Sequence, residues 1–222
     1  LTTDKRPQSC QIHRGMILTD AELESLVNLQ HRSPHQLLGM HPLGDGTGVV
    51  VRALIPDAAQ IEAIPTHEKD KPKIKLTRLH DSGMFESTSK ESNRVYAYDL
   101  LITDYRGNVR RQRDAYSFLP TLGEMDLYLF GQGNERRIYE KLGAQLRTVD
   151  GVPGASFAVW APTAQSVSVV GDFNNWDGRI HQMRTLGLSG VWEIFVPDVK
   201  EGAHYKFDVR DARGRSRLKT DP

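Results

Sequence analysis

The feature that most restricts how this chain can fold is an internal repeat. VRALIPDAAQIEAI around Pro56 returns as FAVWAPTAQSVSVV around Pro162, 106 residues on. DSGMFE, beginning at Asp81, returns as LSGVWE, beginning at Leu188, 107 residues on. DYRGN at Asp104 returns as DARGR at Asp211, and Asp114 as Asp221, again 107 residues apart. Separate blocks at one offset are hard to obtain from chance recurrence of turn residues. The chain therefore reads as two copies of one unit of about 100 residues, the size of a β-sandwich. Its apolar runs are short and β-like. In the first copy they are VVVRAL, IEAI, KIKL and RVYAYDLLI, parted by the turn signals IPDA, HDSG and YRGN. The expected fold class is all-β: two tandem immunoglobulin-like β-sandwiches with short connecting helices.

The repeat sets the expected boundaries. Residues 1–17 carry no periodicity and are expected as a loose arm. A first module with a leading helix is expected over 18–120, a linker over 121–134 and a second module over 135–222. Thr19 and Glu22 have capping-box spacing, with Leu18 and Leu23 as a hydrophobic staple. Leu23, Leu26 and Val27 form the buried stripe of that helix. Gly131 and Gly133 mark the linker, and ERRIYEKLG, Glu135 to Gly143, has helical character. In the second copy Trp192, Ile194 and Val196 alternate with Val191, Glu193 and Phe195, so Trp192 is expected in the core. Lys206 alternates with Tyr205, Phe207 and Val209, so it should face outward beside His204 and Asp208. Trp160 is expected at a domain contact.

Composition narrows the chemistry. Lys and Arg number 29 against 28 Asp and Glu, without the basic excess that nucleic acid or an anionic membrane demands. The run Arg106, Arg110, Arg111, Arg113 reads as a solvated face. Cys10 is the one cysteine, so no internal disulfide forms, and a cytoplasmic location is expected. No metal-ligand spacing, nucleophile elbow or opposed carboxylate pair appears, so no catalytic residue, metal or cofactor is assigned. The informative stretch is GDFNNWDG, Gly171 to Gly178. Trp176 there reads either as a lid folded onto the sandwich edge or as a platform for the apolar face of a sugar ring. Asn174 and Asn175 would supply donors and acceptors to hydroxyls.

FAVWAP, GDFNNWDG, GVWEIFVPDVKEGAHYKFDVRD and LKTDP together resemble carbohydrate-binding module family 48. RIYEKLGA before them, HQLLGMH at His35 and RDAYSFLP at Arg113 resemble the two-module front end of the glycogen branching enzyme family. The resemblance implies α-glucan partners (glycogen, maltooligosaccharides), Trp176 as a stacking residue and Lys206 as a sugar contact. It also implies a catalytic barrel on the same longer chain, which would cut an α-1,4 glucan and rejoin it through an α-1,6 bond without a cofactor. Two departures stand out. The turn DARGRSR lacks a second stacking aromatic, and the first copy has PTHEKDKPK, Pro65 to Lys73, in place of GDFNNWDG. The first copy is therefore expected to be structural or to pack against other domains. Rival readings are a stand-alone glycogen-binding adaptor, or the front end of another glycoside hydrolase family 13 enzyme such as a debranching enzyme.

Overall fold

The computed structural model describes residues 18–68, 70–134 and 137–221. The expected arm, residues 1–17, lies outside them. The leading helix α1 (Asp20–Val27) starts as its sequence predicts. Thr19 Oγ1 accepts from the Glu22 N–H at 3.2 Å, and Glu22 Oε2 accepts from the Thr19 N–H at 2.8 Å. Leu18, Leu23 and Leu26 then pack on Leu37, Leu38, Leu54 and Met84.

Module one contains β1 (Gly39–Pro42), β2 (Val49–Leu54), β3 (Ala58–Pro65), β4 (Ile74–His80), β5 (Met84–Ser89), β6 (Tyr98–Asp104) and β7 (Val109–Arg113). They run in the order β1-β2-β5-β4-β3-β6-β7, all antiparallel. β4 serves both halves: Ile74 to Leu76 pair with β3, whereas Thr77 to His80 pair with β5 across a register shift. The ribbon so folds over on itself. Val49, Val51 and Ala53 of β2 meet Ile61 and Ala63 of β3 and Leu100 and Ile102 of β6 in one core.

Module two repeats that order. β8 (Gly143–Val149), β9 (Val152–Trp160), β11 (Arg184–Thr185) and β12 (Val191–Pro197) form one sheet, β11-β12-β9-β8. β10 (Ser166–Gly171), β13 (Tyr205–Arg210) and β14 (Ser216–Lys219) form the other. β11 stands where β4 stood, and Gln182 just before it bridges to Ser168 of β10. Phe157, Val167, Val169, Trp192, Ile194 and Phe207 fill the core, as the alternation predicts. The repeat extends to single bonds. Tyr98 donates to Asp114 and Tyr205 to Asp221. Asp104 and Asp211 each cap the turn that follows through two backbone N–H groups.

Two local features go beyond the sequence reading. The stretch read as a linker holds a second helix, α2 (Glu124–Gly131), whose first turn is capped by Asp126 on the Gly123 N–H at 3.0 Å. Gly133, at φ +69, follows the end of that helix as a stop signal. ERRIYEKLG forms only a short 3-10 turn, Ile138–Glu140, within its described part. With Leu122, Leu127 and Phe130, α2 covers the outer face of β9 and β12 over Ala158 and Val191. Phe118 covers Phe195 on the same face, edge-on at 4.7 Å. β12 is therefore buried on both faces, which is why its sequence is apolar at nearly every position.

The modules are joined by more than the chain. Tyr116 Oη donates to the Ile180 carbonyl at 3.0 Å and accepts from the Gln182 N–H at 2.8 Å. The end of α1 and the residues after it reach across as well: Gln182 Nε2 donates to the Leu26 carbonyl at 3.1 Å, and Ser166 Oγ to the Leu29 carbonyl. No helix among the described residues is long and apolar enough to cross a membrane.

Candidate functional site

The site begins where β10 ends. The chain leaves the sheet at Gly171, makes a 3-10 turn over Asp172–Asn174, and passes through two consecutive left-handed residues, Asn175 at φ +54 and Trp176 at φ +60. A bulky residue pays for that conformation, by roughly 1–3 kcal/mol. The hydrogen bonds around it supply the constraint. Asn174 Oδ1 accepts from the Gly171 N–H at 2.9 Å, and its Nδ2 donates to the Val169 carbonyl at 2.9 Å. The same Nδ2 lies 3.0 Å from His181 Nδ1. Burial pushes the His181 pKa down to about 4, so its imidazole is neutral and accepts that bond.

Asn174 is thus buried, with its amide committed to the loop itself. It was expected to meet hydroxyls, and the geometry corrects this: the side chain fixes the loop from inside. Its neighbour Asn175 is exposed. Two adjacent asparagines look alike in sequence, and only the turn decides which one points inward.

Trp176 is 44% exposed, which removes the buried-lid reading. Its indole N–H donates to Asp172 Oδ1 at 3.2 Å. Asp172 Oδ2 in turn accepts from the His204 N–H at 3.1 Å. Those bonds from His204 hold the Asp172 carboxyl below the usual carboxylate range. The ring is thereby tied to the start of β13. Lys206 lies two residues further along, opposite Val170, on the face turned away from Tyr205 and Phe207. Its ammonium meets no described residue in a hydrogen bond or ion pair. Asp208, expected to be outward, shares that face but is covered. Gly178 passes close over it, and Ser216 Oγ and Arg210 Nη2 donate to it.

An open depression of about 570 Å³ borders Trp176. Asn175, Trp176, Gly178, Asp208 and Arg210 line it together with Leu29 after α1, and Lys206 does not. The contribution of Leu29 carries no sequence signal, since it comes from the other copy of the repeat. Trp160, expected at a domain contact, is 55% exposed within these two modules. It touches Phe130 edge-on at 6.1 Å and donates to the Ser189 carbonyl at 3.2 Å.

Comparison with known proteins places these modules. Residues 19–116 match the family model for the alpha-1,4-glucan branching enzyme GlgB, N-terminal domain. Residues 141–222 match Carbohydrate-binding module 48 (Isoamylase N-terminal domain). The 1,4-alpha-glucan branching enzyme GlgB of Myxococcus xanthus (strain DK1622) is 50% identical over 205 residues, 91% of this chain and 27% of that protein. That of Synechocystis sp. (strain ATCC 27184 / PCC 6803 / Kazusa) is 44% identical over 206 residues, 90% of this chain and 26% of that protein. That of Protochlamydia amoebophila (strain UWE25) is 40% identical over 197 residues, 89% of this chain and 26% of that protein. The chain spans about a quarter of the length of these curated relatives.

Proposed function

Because the chain belongs to the 1,4-alpha-glucan branching enzyme family, as its two-module N-terminal region, we propose that it holds α-glucan for an enzyme that makes α-1,6 branches. Cleavage and transfer belong to a catalytic barrel on the longer chain, and these modules pack against it in the cytoplasm. The observation that carries the reading is Trp176. An indole held half-exposed in a left-handed backbone has no role in the core. Strain of this kind persists where the surroundings over-determine it, and it clusters at ligand clamps.

The division of labour follows from the chemistry of a glucose ring. Its C–H face is apolar and stacks on the flat indole. Its hydroxyls accept from the Lys206 ammonium and exchange bonds with the Asn175 amide. The Asp172 carboxylate fixes the ring edge of Trp176, which leaves the indole face for the ligand. One platform without a second aromatic gives weak binding, around millimolar, or about −4 kcal/mol. Several such sites along one polymer combine through effective concentration. Titration with maltoheptaose, followed by tryptophan fluorescence, tests this. The wild type should show a saturable change. Lys206→Ala should weaken it, and Trp176→Ala should abolish it. An unaltered titration in Trp176→Ala refutes the platform.

A further inference from the structure

Given the reading above, that a catalytic region follows on the longer chain, we infer that the exposed apolar face formed by α2 and Trp160 is its seat, and that it docks there as module two docks on module one. The repeat includes the leading helices. α2 begins 104 residues after α1. At the same offset the 3-10 turn Pro34–Gln36 returns as Ile138–Glu140, and Gly39 at the start of β1 as Gly143 at the start of β8. The helix ends agree too. The C-caps Asn28 and Gln132 have φ −88 and −87, and Leu29 and Gly133 follow them with φ +57 and +69. Each helix lays the same positions on its own module: Leu18, Leu23, Leu26 and Leu38 return as Leu122, Leu127, Phe130 and Leu142. Met84 beneath them returns as Val191, and Leu54 as Trp160.

The two copies differ in what covers them. In the first, module two closes the cluster. Tyr116, two residues after Asp114, packs on it and bonds to Ile180 and Gln182. Leu54, Tyr116, Ile180 and His181 line one small void of about 20 Å³. The end of α1 is bonded to module two through the Leu26, Leu29 and Arg32 carbonyls, the last accepting from the Thr185 N–H at 2.9 Å. Leu26 and Leu54 are consequently 0% and 2% exposed. In the second copy Trp160 stands in the place of Leu54 and is 55% exposed, with Phe130 beside it only partly buried. Where α1 turns Ala21 and Glu24 to solvent, α2 turns Met125 and Tyr128, 68% and 60% exposed. Leu188, fully exposed in the turn whose Ser189 carbonyl holds the Trp160 indole, extends the face. An apolar face of this kind marks an interaction surface.

Its occupant follows from the duplication. The unit seated on the first cluster is the next stretch of the chain, reached through the residues just after Asp114. Asp221 is the counterpart of Asp114, and the curated relatives carry a chain of which these modules are about a quarter. The next unit of that chain therefore has the same seat open to it on module two. There the Gly133 carbonyl stands where the Leu29 carbonyl accepts from Ser166. Trp160 and Phe130 would be buried by that unit, as Leu54 and Leu26 are by module two.

Hydroxyl-radical footprinting read by mass spectrometry, on the 222-residue chain and on the full-length chain, tests the seat without any variant. Oxidation of Trp160 and Met125 should fall severalfold in the full-length chain, with Trp176 as the unchanged reference. Benzoylphenylalanine placed at position 128 of the full-length chain should crosslink within one chain, to residues beyond 222. Equal oxidation of Trp160 and Met125 in the two forms, or a crosslink only to a second copy, overturns the seat. Branching of amylose by the full-length chain tests the catalytic reading separately. A full-length chain that makes no branches refutes that reading, and one that makes them with Trp160 still exposed refutes the seat alone.

Discussion

Glu193 is the residue whose loss should cost most. Its side chain is fully buried in the middle of β12. Its carboxylate accepts from Arg184 Nε at 3.0 Å and Nη2 at 2.8 Å. It also accepts from Thr121 Oγ1 at 2.9 Å and the Thr121 N–H at 3.2 Å. Arg184 is itself 8% exposed and holds the Phe118 carbonyl, so this pair staples the inter-module segment to module two. Glu193→Ala leaves a guanidinium buried without its counter-charge, which costs about 3–5 kcal/mol. For a chain of this size that is a drop in Tm of roughly 6–20 °C.

Urea unfolding followed by far-UV circular dichroism measures the loss. The double variant Glu193→Leu, Arg184→Met should recover part of it: an apolar pair of similar volume avoids the desolvation cost, but the Thr121 donors and the Phe118 carbonyl lose their partners. Arg215→Ala breaks an ion pair with Asp211 in which the arginine is 58% exposed, and should cost under ~1 kcal/mol. A loss below about 1 kcal/mol in Glu193→Ala, or no recovery in the double variant, would refute the reasoning.

Three further outcomes follow from the geometry. Gly83→Ala should destabilise by well over ~1 kcal/mol, because φ is +93° and a Cβ would lie 2.4 Å from Pro56 Cα. Gly107→Ala, at φ +85° with nothing within 4 Å, should pay only the backbone penalty of ~1 kcal/mol; thermal melts separate the two. His181 has its folded pKa depressed to about 4 from 6.5, so its contribution is complete above pH 6.5. As pH falls from 6.5 to 4 the unfolded chain protonates first, and stability should drop by about 3 kcal/mol from this group. Urea midpoints across that range should flatten in His181→Asn. Trp176→Gly should leave stability unchanged or raise it by up to ~1 kcal/mol by relieving the positive φ, while binding is lost; a clear loss of stability would mean that Trp176 is structural.

Much of the architecture was legible because it is written twice. The offset of 106–107 residues announced a duplicated sandwich, and the pairs Tyr98–Asp114 and Tyr205–Asp221 sit at that offset. Trp192 and Lys206 were assigned to opposite faces by alternation alone. What escaped sequence reading depends on tertiary contact. The glycines flanking α2 resemble linker punctuation, yet the helix is held by an apolar face laid on β9 and β12. Glu193 was visible as the polar break in VWEIFV, but its partner sits in a strand of two residues, Arg184–Thr185, too short to read. The site divided in the same way. Trp176 stood out from its polar loop, while alternation showed only that Lys206 faces outward and its reading as a sugar contact came from the family resemblance; the inward turn of Asn174 and the contribution of Leu29 to the depression depend on the fold.

The central claim is that Trp176, not exposed tryptophan in general, carries glucan on module two. Trp160 is the natural control, being 55% exposed against 44% for Trp176. Retardation of the chain in native gels containing glycogen, compared with gels lacking it, measures the difference. Trp176→Ala should migrate faster than the wild type in glycogen, and Trp160→Ala should migrate with the wild type. Wild-type retardation of Trp176→Ala, or its loss in Trp160→Ala alone, would contradict the account.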